Sequence, residues 1–555
     1  MSKKHGKKRT VPPDLLKDLE FPAEELKAIV DRARSGPITE EEAAKLKAII
    51  STFELLKAEL QSKSTSVERL KRMIFGASTE KTDAVLGEAT AAPADSTAPG
   101  KSEPATRRGG KLPGYGRNGA SAYTGASKVA VAHESLHHGD DCPGCLSGKV
   151  YQLKEPGRLV RVKAVAPLQA TVYECDKLRC NACNEIYTAA APPGVGAEKY
   201  DASAGAMVEM LRYGTGLPFN RIERLQEGLG VPLPASTQWD LVREDVETVL
   251  PVHEEMIRQA AQVPLLHNDD TTMKILRLTP EQRAAALGEE GANRTGVFTS
   301  GIVAVDEEHR VALFFTGARH AGENLTEVLK QRAADLPPPI QMSDGLSRNI
   351  PNDFETILTA CILHARRKYV DVAESFPEEV GFVLETLRKV YKTDAIAREQ
   401  RLSPEQRLQL HKKDSGPLMA ALETWMQEQF AERKVEPNSG LGEAIRYMRS
   451  HWEGLTAFLR VAGAPLDNNV CERALKKAIL HRRNSLYYKT PNGARAGDIF
   501  MTLIYTAELN RVSPFDYLVA LLRHPRQIAT NPQDWMPWNY RAALATLAGE
   551  RDPPA

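Results

Sequence analysis

Between Leu46 and Ile74 the apolar positions step by alternating threes and fours. They are Leu46, Ile49, Phe53, Leu56, Leu60, Val67, Leu70 and Ile74, with Lys63 as the polar member of the series. This is a heptad seam of about four repeats, the pattern of a coiled-coil helix. An amphipathic helix packed on its own protein is the alternative. A polar residue in the seam, here Lys63, sets register or partner choice. With the basic stretch MSKKHGKKRTVPP ahead of it, the seam defines a first segment, 1–83.

The pattern then changes seven times. Residues 84–125 are rich in Ala, Pro, Gly and Ser and poor in apolar residues, which predicts a flexible linker. Arg107, Arg108, Lys111 and Arg117 make it basic, and a basic linker is either merely solvated or tracks phosphates. Segment 126–192 holds strand-like runs, LVRVKAVAP and QATVYEC. Segment 193–261 is helical, broken at GTGLP and at GLGVPLPAST, and fits a helix-turn-helix or a plain helical connector equally. From Gln262 the chain turns to strands: Val263–Leu266 runs into HNDDTT, and VFTSGIVAV and HRVALFFTG are suited to antiparallel pairing. A helix, ENLTEVLKQRA, and a short apolar strand ending at Asp344 follow within segment 262–369. Segment 370–466 reads as charged helices. Segment 467–512 opens on a turn and helix, and 513–555 carries the aromatic packing stretch DWMPWNY.

Composition narrows the classes. A chain of 555 residues is too long for one core, and three or four domains are expected. The net charge of +1 means that nucleic-acid binding must come from local clusters. No run of 18 apolar residues is present, so no membrane span is expected, and the N-terminus lacks the apolar core of a signal peptide. Four of the seven cysteines form two pairs, Cys142-Pro-Gly-Cys145 and Cys180-Asn-Ala-Cys183. Two such knuckles around a hairpin-sized spacer predict a closed four-thiolate site for one structural Zn2+. A redox pair is the alternative, though redox motifs do not need a second pair.

Three acids stand in contexts that suit metal chemistry. Asp269 lies within a strand, Asp344 ends another, and Glu472 opens a helix in DNNVCERALKKAILHRRNSLYYK. After Glu472 come Arg473, Lys476, Lys477, Arg482 and Arg483, with no further acid before Lys489. Helical spacing puts Glu472, Lys476, Ile479 and Arg483 near one face. One carboxylate in a basic field suits a divalent metal beside a phosphate. Asn469-x-x-Glu472 also fits a capping box. Two divalent metals about 3.5–4 Å apart activate a water or a 3′-hydroxyl and stabilise the leaving oxygen, and hard ions such as Mg2+ take carboxylate ligands. Cys361 and His364 follow the second acid at C-x-x-H spacing, which a plain helix-face pair without metal also explains. The residues by themselves point to a metal-dependent nucleic-acid enzyme.

Several stretches together resemble the transposases of the insertion-sequence-66 family, members of the DDE class with a ribonuclease-H-like core. They are IFGASTEKTD (Ile74–Asp83, with Thr79 where Ser is usual), GYGRNGASAYTGA leading to CPGC, and RYGTGLPFNRIERLQEGLGVPLPAST (Arg212–Thr237). HNDDTT, MSDG, ACILHARRKY (Ala360–Tyr369) and DNNVCERALKKAILHRRN follow, with Lys476 and Arg483 as conservative departures. The resemblance implies catalytic acids at Asp269, Asp344 and Glu472, which would bind two Mg2+. It implies a helical insertion at 370–466 and contacts of His364, Arg366 and Lys368 with the cleaved strand. The expected fold is multidomain α/β: N-terminal coiled-coil helix, zinc ribbon, helical DNA-binding region, and a ribonuclease-H-like mixed-sheet catalytic core with a helical insertion.

The expected activity is phosphodiester hydrolysis at insertion-element ends and strand transfer into target DNA. The expected partners are the terminal inverted repeats, target DNA, a second copy through the coiled coil, and accessory transposition proteins. The phosphate contacts would be Arg107, Arg108, Lys111, Arg117, Arg473, Lys476, Arg482 and Arg483. The expected place is the bacterial cytoplasm, on the nucleoid when DNA is bound. A structure-selective nuclease on the same core, or a non-catalytic zinc-and-coiled-coil DNA-binding protein, are the rival readings.

Overall fold

The computed structural model describes residues 39–40, 137–141, 143, 148–151, 167–179, 186–190, 192–193, 198–288 and 293–551. The seam from Leu46 to Ile74, the linker bases Arg107, Arg108, Lys111 and Arg117, and the cysteines Cys142, Cys145, Cys180 and Cys183 lie outside the described residues. The chain divides into two units, residues 94–167 and the remainder. In the smaller unit, Asp141 and Lys149 form an antiparallel bridge, and Val150 N–H donates to Asp140 O at 2.9 Å.

The first strands described in the larger unit are an antiparallel pair, β1 (Lys177–Arg179) and β2 (Ile186–Thr188). Helix α1 (Ala202–Glu209) starts at Asp201, whose carboxylate accepts from Ser203 and Ala204 N–H, and runs into a π-helical turn at Met210–Gly214. The GTGLP and GLGVPLPAST breaks separate α1 from α2 (Phe219–Gly228) and α2 from α3 (Ala235–Ala260). Pro218 and Pro234 stand immediately before these helices, as residues whose extended backbone ends the preceding turn.

The central sheet follows. Strand β3 (Leu265–Thr272) leads through α4 (Pro280–Leu287) to β4 (Phe298–Val305) and β5 (Arg310–Gly317). Helix α5 (Ala321–Leu329) then crosses to β6 (Ile340–Ser343) and β7 (Ile357–Ala360). The order is β5-β4-β3-β6-β7, with the first three strands antiparallel and β6 and β7 parallel to β3. This is a five-stranded mixed sheet, as a ribonuclease-H-like core requires.

Six helices follow β7: α6 (Ile362–Val370), α7 (Pro377–Glu399), α8 (Pro404–Asp414), α9 (Gly416–Ala431), α10 (Gly440–Ser450) and the short α11 (Trp452–Leu455). From α7 onward they fill the stretch expected to be a helical insertion. They bury their own apolar cluster, including Leu384, Leu422, Met426, Ile445 and Phe458, which joins the sheet at Ile340 and Ala360. The chain returns in α12 (Asn469–Ser485) and α13 (Pro491–Leu509), then closes with α14 (Pro514–Arg523), α15 (Pro525–Thr530) and α16 (Tyr540–Arg551). Trp535 of the aromatic stretch is 2% exposed and packs in the main core. No described helix is long and apolar enough to cross a membrane.

Strand β5 is an edge of the sheet, and an open edge leaves backbone donors unpaired. Helix α13 closes it with a ladder of side chains spaced four residues apart. Asn510 Oδ1 accepts from Arg310 N–H at 3.1 Å, Thr506 Oγ1 from Ala312 N–H at 3.1 Å, and Thr502 Oγ1 from Phe314 N–H at 3.2 Å. Asp498 accepts from Thr316 N–H at 2.7 Å and from its hydroxyl at 2.6 Å. Four helical residues rise about 6 Å and two strand residues about 6.8 Å, so the periods nearly match.

Candidate active site

Successive side chains of a strand point to opposite faces, so the adjacent acids Asp269 and Asp270 serve different surroundings. Asp270 pairs across β4 with Ser300, whose hydroxyl accepts from Asn324 Nδ2 of α5 at 2.8 Å. On that face the Asp270 carboxylate, 3% exposed, meets His320 Nδ1 at 2.7 Å and Arg348 Nη2 at 3.6 Å. Asp269 pairs with Gly301 on the other face, where α12 lies. Cys471 Sγ of α12 donates to Gly301 O at 3.3 Å. A Cβ on Gly301 would stand 3.0 Å from Leu475 Cδ2, so the bare glycine lets the helix come close.

Asp344 directly follows β6. The parallel register sets His267 beside Met342, and two more steps bring Asp269 level with Asp344. Asn349 Nδ2 donates to Asp344 Oδ1 at 2.7 Å and reaches Asp269 Oδ1 at 3.4 Å, so one amide nitrogen bridges both carboxylates. The Asn349 carbonyl is itself held by Asn268 and Gln341, each at 2.7 Å. Asp344 is 8% exposed and also accepts from Leu346 N–H at 2.9 Å.

Glu472 sits in the first turn of α12. The capping box that its spacing allows is not formed: α12 has no side-chain cap bond, and Glu472 Oε1 is buried without a hydrogen-bond partner among the described residues. Asn468, the residue before the helix, is fully buried and instead fastens it to the sheet. Its Oδ1 lies 3.1 Å from His267 Nδ1, and its Nδ2 donates to Asn268 O at 3.1 Å. Its N–H donates to Cys361 Sγ at 3.3 Å, which ties the start of α12 to the start of α6.

The neighbouring acids act on Asp269. Burial pushes the Asp269 carboxyl up to about 7, and the charges of Asp344, Asp270 and Glu472 add to it, against one backbone bond from Asp270. Burial also pushes the Cys471 thiol well up, reinforced by Asp269 and Glu472. The three carboxylates are hard oxygen donors, the ligand type that Mg2+ takes.

The expected phosphate contacts separate by burial. Arg473, Lys476 and Arg483 are exposed on α12. Arg482 is committed to β3: Nη1 donates to Thr271 Oγ1 at 3.1 Å, to Thr272 Oγ1 at 2.7 Å and to Thr272 O. Lys368 is exposed, with its ammonium 5.5 Å from the Tyr447 ring centre, and the Tyr447 hydroxyl donates to Asp344 O at 3.1 Å. Arg366 is 8% exposed, buried rather than offered to solvent. His364 is partly exposed, its Nδ1 standing 3.9 Å from Glu472 Oε1. Sequence reasoning missed Asn349, Asn468 and Gly301. Of these, only the glycine inside the apolar run VFTSGIVAV gives a local signal, since Gly in a strand interior marks a close approach.

Residues 199–496, more than half of the chain, match the model of the family described as Transposase IS66 family. Among curated relatives, uncharacterized protein y4jD of Sinorhizobium fredii is 25% identical over 422 residues, covering 72% of this chain and 78% of its own length. Uncharacterized protein y4hP of the same organism is 26% identical over 368 residues, covering 60% of this chain and 62% of its own. Uncharacterized protein y4qI, also from that organism, is 31% identical over 199 residues, 34% of this chain and 35% of its own. No solved structure matches the chain. The matched region runs from before α1 into α13 and so contains the sheet, all three acids and the helical insertion between them; the chain belongs to the IS66 transposase family.

Proposed function

We propose that the protein cleaves DNA at the ends of an insertion element and joins the freed 3′-hydroxyl to target DNA, using Asp269, Asp344 and Glu472. The observation that carries this reading is the meeting of Asp269 and Asp344 from neighbouring strands at one amide, Asn349 Nδ2, 3.4 and 2.7 Å away, where burial and the charges of Asp344 and Glu472 push the Asp269 carboxyl up to about 7. Buried like charges are costly, and a divalent cation relieves them. Two Mg2+ held by these carboxylates would supply an activated water or 3′-hydroxyl and stabilise the leaving oxygen. Asn349 bridges Asp344 and Asp269, and Asn468 fastens the start of α12, which carries Glu472, to β3. The exposed Arg473, Lys476 and Arg483, with Lys368, fix the strand by its phosphates.

On the same reading Cys142, Cys145, Cys180 and Cys183 bind one structural Zn2+. The helix of segment 1–83 pairs two copies of the chain, and accessory transposition proteins join the complex. The test is incubation with duplexes carrying the flanking element ends and Mg2+, scoring nicked and joined products. Asp269→Asn, Asp344→Asn and Glu472→Gln should each abolish cleavage while DNA binding persists. Full activity in Glu472→Gln would refute the assignment, and nicking without any joined product would leave a nuclease.

A further inference from the structure

Three ligand atoms from two helix starts gather beside the carboxylate cluster. Cys361 is the residue before α6, His364 lies in its first turn, and Glu472 lies in the first turn of α12. The C-x-x-H spacing puts Cys361 and His364 on neighbouring positions of one turn. The Asn468 N–H to Cys361 Sγ bond holds the second helix start against the first. As a result one ligand atom each of Cys361, His364 and Glu472 lies within 4.8 Å of the other two. Two of the three, His364 Nδ1 and Glu472 Oε1, are buried and have no hydrogen-bond partner among the described residues. A buried imidazole nitrogen and a buried carboxylate oxygen left facing each other lack only a shared cation.

The donor set decides which cation. Sulfur, imidazole nitrogen and carboxylate oxygen suit a borderline-soft ion such as Zn2+ or Co2+, whereas Mg2+ and Ca2+ take oxygen. Three protein ligands with a fourth position open is the pattern of an exchangeable zinc site. Zn–S and Zn–N bonds of about 2.3 and 2.1 Å keep two ligands of one ion within about 4.4 Å of each other. His364 Nδ1 and Glu472 Oε1, 3.9 Å apart, already fall inside that reach.

We propose that Cys361, His364 and Glu472 form a zinc-class transition-metal site that shares Glu472 with the catalytic acids. On binding, the Cys361 thiol releases its proton to solvent and its sulfur bonds the metal. Zinc seated here draws Glu472 away from Asp269 and Asp344 and so inhibits cleavage. This inhibitory consequence rests on the proposed catalytic role of Glu472; the metal site itself does not.

The experiment uses the full-length protein and its Cys361→Ser variant, with Co2+ as the spectroscopic probe and Zn2+ as the inhibitor. Cys361→Ser should bind one metal equivalent fewer and lose one thiolate-to-cobalt charge-transfer contribution. Measured against its own zinc-free rate, it should raise the half-inhibiting zinc concentration by at least ~10-fold, as loss of metal-site groups does. His364→Gln, read by metal binding alone, gives the same loss of one equivalent and stands in should Cys361→Ser fail to fold. Identical cobalt spectra and stoichiometry in wild type and both variants overturn the site. A cobalt signal that depends on Cys361 alongside cleavage indifferent to zinc upholds the site and overturns the catalytic reading of Glu472.

Discussion

Asp269 and Gly301 stand directly opposite each other across β3 and β4, one carrying the carboxylate and the other no side chain at all. The space above Gly301 is taken by Leu475, 3.0 Å from where a Cβ would be, and by Cys471 Sγ at 3.4 Å. Gly301→Ala therefore pushes α12 off the sheet. We expect about 1–3 kcal/mol of destabilisation, as for other overpacked cores. Cleavage should fall by more than the unfolded fraction explains, because Glu472 moves with the helix. Denaturant melts and cleavage rates on the same sample check this, and an activity loss equal to the unfolded fraction argues against it.

Asn349→Ala removes the amide that bridges Asp344 and Asp269 but leaves the backbone carbonyl that Asn268 and Gln341 hold. The strands should stay in place while the carboxylates lose their alignment. Cleavage should drop roughly 10–100-fold, with a higher Mg2+ requirement, in line with other residues that orient metal ligands. An unchanged Mg2+ dependence would show that Asn349 has no part in the site.

The Asp269 carboxyl, ordinarily near 3.8, sits at about 7. A raised acid favours the folded state in its protonated form, so its contribution is whole below about pH 4 and is lost as pH rises through 7. Metal-free protein should therefore lose stability between about pH 4 and pH 7, and Asp269→Asn should remove part of that slope. Asp498, also raised to about 7 by burial, keeps a remainder in the variant. Mg2+ binds the ionised form, so the rise in Tm on adding it should be large at about pH 8 and small at about pH 5. Equal rises at both would contradict the shift.

Thr502→Val keeps the shape of the side chain but leaves Phe314 N–H, on the sheet edge, without its acceptor. An unsatisfied buried donor costs about 1–3 kcal/mol. Chemical denaturation should read a loss in that range, and a loss near zero would mean that α13 does not close the edge.

Charge removal should sort the α12 bases. Replacing exposed Arg473, Lys476 and Arg483 together by Gln should lower the salt slope of DNA binding by about 0.9 for each phosphate that is no longer neutralised. Arg482→Gln should instead lower stability and leave the slope unchanged, since its guanidinium holds Thr271 and Thr272. A slope change with Arg482→Gln would reverse that assignment.

Much of this architecture is legible in local pattern. The adjacent apolar runs VFTSGIVAV and HRVALFFTG give the hairpin, and the charged helical pattern of 370–466 gives the helices inserted before α12. Placing Asp269 in a strand, Asp344 at a strand end and Glu472 on a helix needs only the same cues. What the pattern omits is long-range. Asn349, Asn468 and the threonines of α13 are ordinary turn or helix residues until β3, β6 and β5 come beside them. The run Arg473–Arg483 reads as one basic field, yet Arg482 faces inward, because a helix turns each residue by about a quarter turn. The coiled coil and zinc ribbon lie outside the described residues.

The insertion also has a consequence in time. Asp344 and Glu472 are 128 residues apart in the chain, and most of what lies between them, α7 to α11, builds a helical cluster. At roughly 5–20 residues per second of synthesis, the ribosome needs roughly 6–25 s to pass from the second acid to the third. The strands bearing Asp269 and Asp344 can pair while Glu472 does not yet exist. A half-made chain held near its own gene would thus be unable to cut it, and a product truncated inside the insertion would keep two acids without the third.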